Sequence, residues 1–291
     1  MYNHYRQQPT NVTVQFVLHN LIEIDDLQES IEFDCTIRLA WKDPRWVLND
    51  LMDHLNPYEL PFGVDIDALI DGGLRIWRPV IEFIDEIAIT EIDQVTAIRG
   101  NGTVYWSRHV VLTLAQQQMD FHSYPLDTQN IQIRFDMLAI PSSVVNLLFA
   151  TPGVLFSLAE DGTNTWADND IWMYQQSSTI ITEVNKGTST NPSYFAYGIL
   201  TVVEKRIGNG IVNRLAIPMA CLVILVGLLF WNNRNERLGN TVFILLSVST
   251  LYISVSNNVP KLGYSTYIGE FGLSMYGIVF ICCFLHQVSY R

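Results

Sequence analysis

Apolar and polar residues alternate along the first part of the chain, and the alternation then gives way to long apolar runs. Val12, Val14 and Phe16 alternate with Thr13 and Gln15, and Ile31, Phe33, Cys35, Ile37 and Leu39 repeat the period of two. Successive side chains on a strand point to opposite faces, so this is the pattern of strands with one buried face. Trp41-Lys42-Asp43-Pro44-Arg45 reads as a turn and 49–58 as a short helix. Residues 76–92 continue the strand pattern around Pro79-Val80-Ile81-Glu82-Phe83-Ile84. Gly100-Asn101-Gly102 predicts a tight hairpin turn between strands at 95–99 and 103–115. Further strands are expected at 130–137, 171–184 and 194–205, the last two separated by a turn-rich stretch at 185–193. Many short strands with few helices predict a β-sandwich, immunoglobulin-like and mostly antiparallel, over residues 1–210.

From 211 to 291 the pattern predicts a transmembrane helical bundle, with helices at about 215–231, 237–259 and 268–288 and a junction at 209–214. The middle helix is unusual. Between Leu238 and Val259 it has no ionisable group except the Tyr252 phenol, yet it carries Thr241, Ser247, Ser249, Thr250, Ser254 and Ser256. At helical spacing, Glu236, Gly239, Phe243, Leu246, Thr250, Ile253 and Asn257 share one face. Copies of that face around an axis would form an acidic ring, a hydrophobic constriction and an amide ring, which is the anatomy of a pore. The plain alternative is that the hydroxyls bond back to their own helix or to neighbours.

Charge is unevenly divided. Up to Asn213 there are 12 Lys/Arg against 27 Asp/Glu, and from Arg214 on 5 against 2, so the balances are −15 and +3. An acidic first domain speaks against nucleic-acid binding and suits the attraction of cations. The Arg234/Arg237 loop and the Arg291 tail orient the bundle with these ends cytoplasmic, which puts the sandwich outside a cell membrane crossed several times. Met1 to Thr10 has no apolar core of the kind a signal peptide needs. The four cysteines, Cys35, Cys221, Cys282 and Cys283, have no zinc spacing, and no disulfide is expected. There is no P-loop and no Gly-x-Ser-x-Gly elbow, and His109 and His122 stand alone in strand-like stretches, so no enzyme is expected.

Met119-Asp120-Phe121-His122-Ser123-Tyr124-Pro125-Leu126-Asp127-Thr128-Gln129 resembles the signature loop of the pentameric ligand-gated ion channels, the Cys-loop receptor superfamily. Trp41 to Arg45, Pro218, Glu236-Arg237-Leu238 and Pro260-Lys261-Leu262 resemble further landmarks of that family in order and spacing, from about Asn11 to Arg291. Gln117 and Ile131 stand where animal receptors have the cysteines of the loop, so the chain looks like a prokaryotic-type member. The family has four membrane helices, and this chain shows three.

The resemblance implies a homopentamer in a lipid bilayer, passing monovalent cations, gated by a small-molecule or ionic agonist of unknown identity. Glu236 then matches the acidic ring of the cytoplasmic mouth and Leu246 the mid-pore hydrophobic gate, with Ile253 as a second constriction. Phe243 departs from the small polar residue usual in its row, and Gly239 from a polar one. The agonist site would take Glu82, Phe83, Asp136, Leu138, Tyr194, Phe195 and Tyr197 from one subunit, and Val17, Thr36, Trp106 and Arg108 from the next. Aromatic boxes there hold ammonium groups by cation–π attraction. Coupling would pass through Asp25, Asp26, Tyr124, Pro125, Asp127, Arg214 and the segment Lys261 to Tyr264, with Asp127 and Arg214 as the leading pair. No cofactor is expected; Ca²⁺ is expected as a modulator on acidic groups such as Asp25/Asp26/Glu29, Asp85/Glu86 and Glu160/Asp161. The alternative function is a membrane-anchored β-sandwich that binds a ligand without conducting.

Overall fold

The computed structural model describes residues 9–47, 77–99, 101–116, 119–137, 140–158, 166, 171–185, 194–257 and 262–288. The readings at 49–58, Gly100, Leu138, Glu160/Asp161, 186–193 and Lys261 lie outside the described residues.

Among the described residues, nine strands build two sheets: β1 (Thr10–Asp25), β2 (Ser30–Val47), β3 (Ile81–Phe83), β4 (Glu86–Ile98), β5 (Asn101–Ala115), β6 (Thr128–Met137), β7 (Val145–Phe156), β8 (Trp172–Asn185) and β9 (Tyr194–Arg206). One sheet runs β4-β5-β2-β1-β7 and the other β3-β6-β9-β8. Pairing is antiparallel except between β1 and β7. The alternation in the sequence is the alternation of burial: Val12, Val14, Phe16, Phe33, Cys35, Leu112, Ile133, Phe135 and Leu200 meet in one core between the sheets. Phe135 lies 5.2 Å from Phe16 and 5.8 Å from Phe149, ring centre to ring centre. Each fully buried side chain of this kind stabilises the fold by roughly 1.5–3 kcal/mol.

The predicted hairpin forms. Gly102 has φ 80°, a left-handed conformation that glycine adopts without strain, and Ile98 pairs with Val104 across the turn. Two expectations are corrected. Residues 41–45 are not a turn: β2 continues through them, and the turn chemistry is absorbed by a register shift between Lys42 and Val47. The strand β7 was not anticipated, because Pro152 and Gly153 break its pattern. It lies at a sheet edge, where a missing backbone donor is tolerated.

Three helices follow among the described residues: α1 (Asn209–Leu228), prolonged by a 3-10 turn at Leu229–Trp231, α2 (Arg234–Ser256) and α3 (Tyr267–Val288). Each is long and apolar enough to cross a membrane. Met219, Val226, Ile244, Val248 and Val279 form their common core. The first helix begins at Asn209 rather than at 215, so the polar junction is its first turn and a half. Backbone hydrogen bonding sets where a helix starts, and Asn213 and Arg214 simply remain exposed on it. Pro218 sits inside α1, as membrane helices tolerate.

Candidate functional site

The loop 119–127 leaves the sandwich and lands on the helices. Phe121 and Tyr124 are buried with Ile268 of α3, and Met119, Ile211, Leu215 and Leu262 pack around them. The contact is also polar. The first N–H groups of a helix have no partner within it. Here the Tyr267 N–H donates to the His122 carbonyl at 3.0 Å and the Ile268 N–H to the Tyr124 carbonyl at 3.3 Å. Thr266 caps the same helix, its Oγ1 accepting from the Gly269 N–H at 3.1 Å. Tyr264 joins the contact, the Phe121 N–H donating to its phenol oxygen at 3.0 Å. Its ring stacks on His122 at 3.8 Å. Gly208 closes the other side, since a Cβ there would stand 2.0 Å from the Pro125 carbonyl oxygen.

Behind the loop sits a buried charge cluster. Arg206, at the end of β9, donates through Nε to Asp127 Oδ1 at 2.7 Å and through Nη2 to Asp127 Oδ2 at 3.3 Å. It also grips Asp26 in a two-pronged bond, Nη1 to Oδ2 at 2.8 Å and Nη2 to Oδ1 at 2.7 Å. Its guanidinium lies 5.0 Å from the Tyr124 ring centre and 4.2 Å from that of Trp172. Burial raises the Asp26 carboxyl above its ordinary value, outweighing the downward pull of the Arg206 hydrogen bonds. Burial also works against the Arg206 charge, but the bonds to Asp26 and Asp127 overcome it and hold the guanidinium above its usual value. Gln129 extends the cluster, donating to Asp127 Oδ2 at 2.6 Å and to the Asp120 carbonyl at 2.8 Å.

The expected pair of Asp127 with Arg214 is therefore corrected. Asp127 is 1% exposed and held by Arg206, whereas Arg214 is exposed on α1. Asp25, Asp26, Tyr124, Pro125 and Asp127 do gather at this junction, with Asp25 Oδ1 accepting from the N–H groups of Leu27 and Gln28 to shape the β1–β2 turn. Arg206 and Glu204 were missed, yet a signal existed. Continuing the period of two from Ala196, Gly198, Leu200 and Val202 puts both on the buried face, where a charge needs a partner. Glu204 accepts from Trp166 Nε1 at 2.6 Å, and burial pushes its carboxyl up to about 7.

All seven residues of the predicted stripe, six on α2 and Asn257 just past its end, are exposed, including Phe243 at 71%, Leu246 at 62% and Ile253 at 57%. The opposite face, with Thr241, Ile244 and Val248, is buried against α1 and α3. The hydroxyls are spent inside the helix: Thr241, Ser247, Ser249 and Thr250 each donate to the carbonyl four residues earlier, at 2.7–3.0 Å. Their number is thus no sign of a pore. Arg237 Nε donates to the Asn232 carbonyl at 2.6 Å.

At the expected agonist site, Glu82, Asp136 and Tyr197 form one cross-strand row on β3, β6 and β9. Tyr194 and Phe195 begin β9 beside it, Tyr194 at 48% exposure. Phe83 is corrected: it is 4% exposed, and its ring lies in the core 6.3 Å from Phe135, since the alternation of β3 turns it inward. Trp106 is likewise buried, its Nε1 donating to Gln94 Oε1 at 3.3 Å. Arg108 covers the Trp106 ring at 5.4 Å and pairs with Glu91 at 3.1 Å. Val17 is buried and Thr36 lies by His19. Of the acidic groups expected to bind Ca²⁺, Asp26 is held by Arg206 and Asp85 by Arg134 Nε at 2.7 Å.

Residues 3–201 match the family model described as the neurotransmitter-gated ion-channel ligand binding domain. The chain belongs to this family of ligand-gated channels. Its members are Cys-loop pentameric receptors and not enzymes. The chain is 24% identical over 285 residues to the gamma-aminobutyric acid receptor subunit alpha-2 of Rattus norvegicus and of Homo sapiens, covering 93% of this chain and 58% of each relative. It is 21% identical over 265 residues to ligand-gated ion channel 4 of Caenorhabditis briggsae, covering 88% of this chain and 38% of that one. The chain thus spans little more than half the length of the curated relatives it matches first. The neurotransmitter-gated channel family accounts for both halves of the structure: an extracellular ligand-binding sandwich and apolar helices for the membrane.

Proposed function

We propose that the chain is a subunit of a cation-selective homopentameric channel of the plasma membrane, opened by an extracellular ligand or ion. The observation that carries this reading is the stripe on α2, exposed along its whole length and opposite the face buried against α1 and α3. Closed symmetry repeats each stripe residue as a ring. Glu236 supplies fixed negative charge at the cytoplasmic mouth, where it also suits the positive end of the helix. The lack of cysteines at Gln117 and Ile131 supports a prokaryotic-type member.

Exposed Glu82, with Tyr194 and Phe195 at the start of β9, favours an ammonium-bearing agonist, whereas Asp136 in the same row is 1% exposed and offers it no surface. The gamma-aminobutyric acid named for the vertebrate relatives carries such a group. Ca²⁺ acts in this reading as a modulator drawn by the −15 balance of the first domain. Its effect is tested against monovalent salt of equal ionic strength, because screening acts over about 10 Å at 0.1 M.

The test is current from the purified chain in a planar bilayer, screened with amines, protons and divalent ions. A cation-selective current, with a reversal potential in a KCl gradient that moves toward zero in Glu236→Gln, is expected. Reversal at the chloride potential would overturn cation selectivity. Silence in every condition, from protein that binds a ligand, would leave a non-conducting binding module.

A further inference from the structure

We propose that His19, Asp34 and His109 form a binding site for a divalent transition-metal ion of the zinc class, on the outer face of the five-stranded sheet. Three strands supply the site: β1 gives His19, β2 gives Asp34 and β5 gives His109. One donor atom from each lies within 4.8 Å of the others. His109 Nε2 stands 2.7 Å from Asp34 Oδ1, and the two imidazole centres are 4.9 Å apart.

Irregular backbone brings them together. Leu18 pairs with Cys35 and Asn20 with Asp34, so His19 is the extra residue of a bulge in β1. A bulge re-aims the side chain it carries. His19 is thereby turned over β2 toward β5, where His109 is the register partner of Thr36. Its Nδ1 is held by the Ser157 hydroxyl, and its Nε2 lies 2.6 Å from Thr36 Oγ1. A hydrogen bond to one ring nitrogen is how outer partners orient a ligating imidazole, and the Thr36 contact at the other would yield to an ion there.

The donor set selects the ion. Two imidazoles and one carboxylate suit zinc, cobalt, nickel or copper, whereas Ca²⁺ and Mg²⁺ require oxygen shells. Ligation needs neutral imidazole. Asp34 adds the negative charge the ion requires, while Arg38 lies near enough to act on His19 as a competing cation. Donors around a tetrahedral zinc at about 2.0–2.1 Å stand about 3.3 Å from one another. The three donor atoms, now within 4.8 Å of one another, would have to draw in to that spacing. The side chains of His109 and Asp34 are 35% and 25% exposed, so solvent reaches the site and a water completes the shell. A bound ion would tie β1, β2 and β5 together from outside, opposite the core residues Leu18, Cys35 and Val110.

The experiment uses the full chain in detergent, free of any histidine tag and stripped with EDTA. Calorimetric titration with ZnCl₂ at pH 7.5 is expected to show one ion per chain, unaffected by millimolar Ca²⁺. CoCl₂ should give the visible absorption of a tetrahedral site. His19→Gln and His109→Gln should each weaken zinc binding by at least ~10-fold, while melting in EDTA stays at the parent temperature. Affinity should fall at acid pH, because ligation needs neutral imidazole. Binding that persists unchanged in both variants, or no binding to the parent chain, would overturn the site. None of these readouts depends on conduction, so the outcome is separate from that of the channel reading.

Discussion

Arg206 is 5% exposed between Asp26 and Asp127, under the ring of Tyr124. Removing one partner of a buried ion pair leaves the other charge uncompensated, at a cost of about 3–5 kcal/mol. Arg206→Ala is expected to lower stability by that order in denaturant unfolding. Arg206→Lys should recover little of it, because an ammonium cannot grip two carboxylates as a planar fork does. Arg214→Gln, on the exposed side of α1, should stay within about 0.5 kcal/mol of the parent. Two residues before Arg206, Glu204 sets a pH dependence. Its carboxyl is raised by burial from an ordinary value of 4.5 to about 7. The folded chain therefore holds more protons than the unfolded one between those values. Stability contributed by Glu204 is present below about pH 4.5, falls as pH rises through 7 and is level above. Glu204→Gln should remove that fall and raise stability at pH 8, by on the order of 1–3 kcal/mol, in melts taken across pH 4.5 to 8.

At the scale of elements, the loop 119–127 is the joint between the sandwich and the bundle, capping α3 and abutting the start of α1. Gly208 is where that joint has no room. Gly208→Ala puts a methyl group 2.0 Å from the Pro125 carbonyl oxygen, and backbone cannot yield as a side-chain tip does. The loop or α1 must move, at about 1–3 kcal/mol. The expected phenotype is agonist binding near the parent level with current reduced at least ~10-fold, read by radioligand binding and electrophysiology on the same preparation. Equal losses in both would mean a folding defect and not a broken joint. The elements themselves were legible where apolar residues keep a clean period, as in β1, β2 and β9. They were not where proline interrupts it. Pro44 suggested a turn inside β2, and Pro152 concealed β7; pairing partners decided both, and partners are not written in the local sequence.

At the scale of the whole molecule, the exposed stripe of α2 is the surface that a ring of subunits would enclose. Leu246, 62% exposed near its middle, would in the proposed ring form an apolar constriction. Leu246→Ser should ease wetting and shift the channel toward opening. The readout is leak current without agonist, together with a lower agonist concentration for half-maximal response. A well-expressed variant with neither change would remove Leu246 as the gate. Because Ile244 and Val248 face the helix core, Ile244→Ser should instead destabilise the bundle without raising leak.

By itself the sequence determined the sandwich, the three apolar helices and the stripe from Glu236 to Asn257, because burial and lipid each impose a period that local residues must obey. It also determined which loop meets the helices, since 119–129 carries its own signature. Only the tertiary structure decided whom Asp127 meets. Arg206 and Arg214 are both plausible by charge, and what separates them is that β9 turns Arg206 inward while α1 turns Arg214 out. The same holds for Phe83, turned from an expected binding face into the core, and for His19 and His109, solitary in sequence and 4.9 Å apart across three strands. Local pattern sets which face a side chain takes; which residues share that face across strands depends on register and bulges, and those are settled by the packing of the whole sheet.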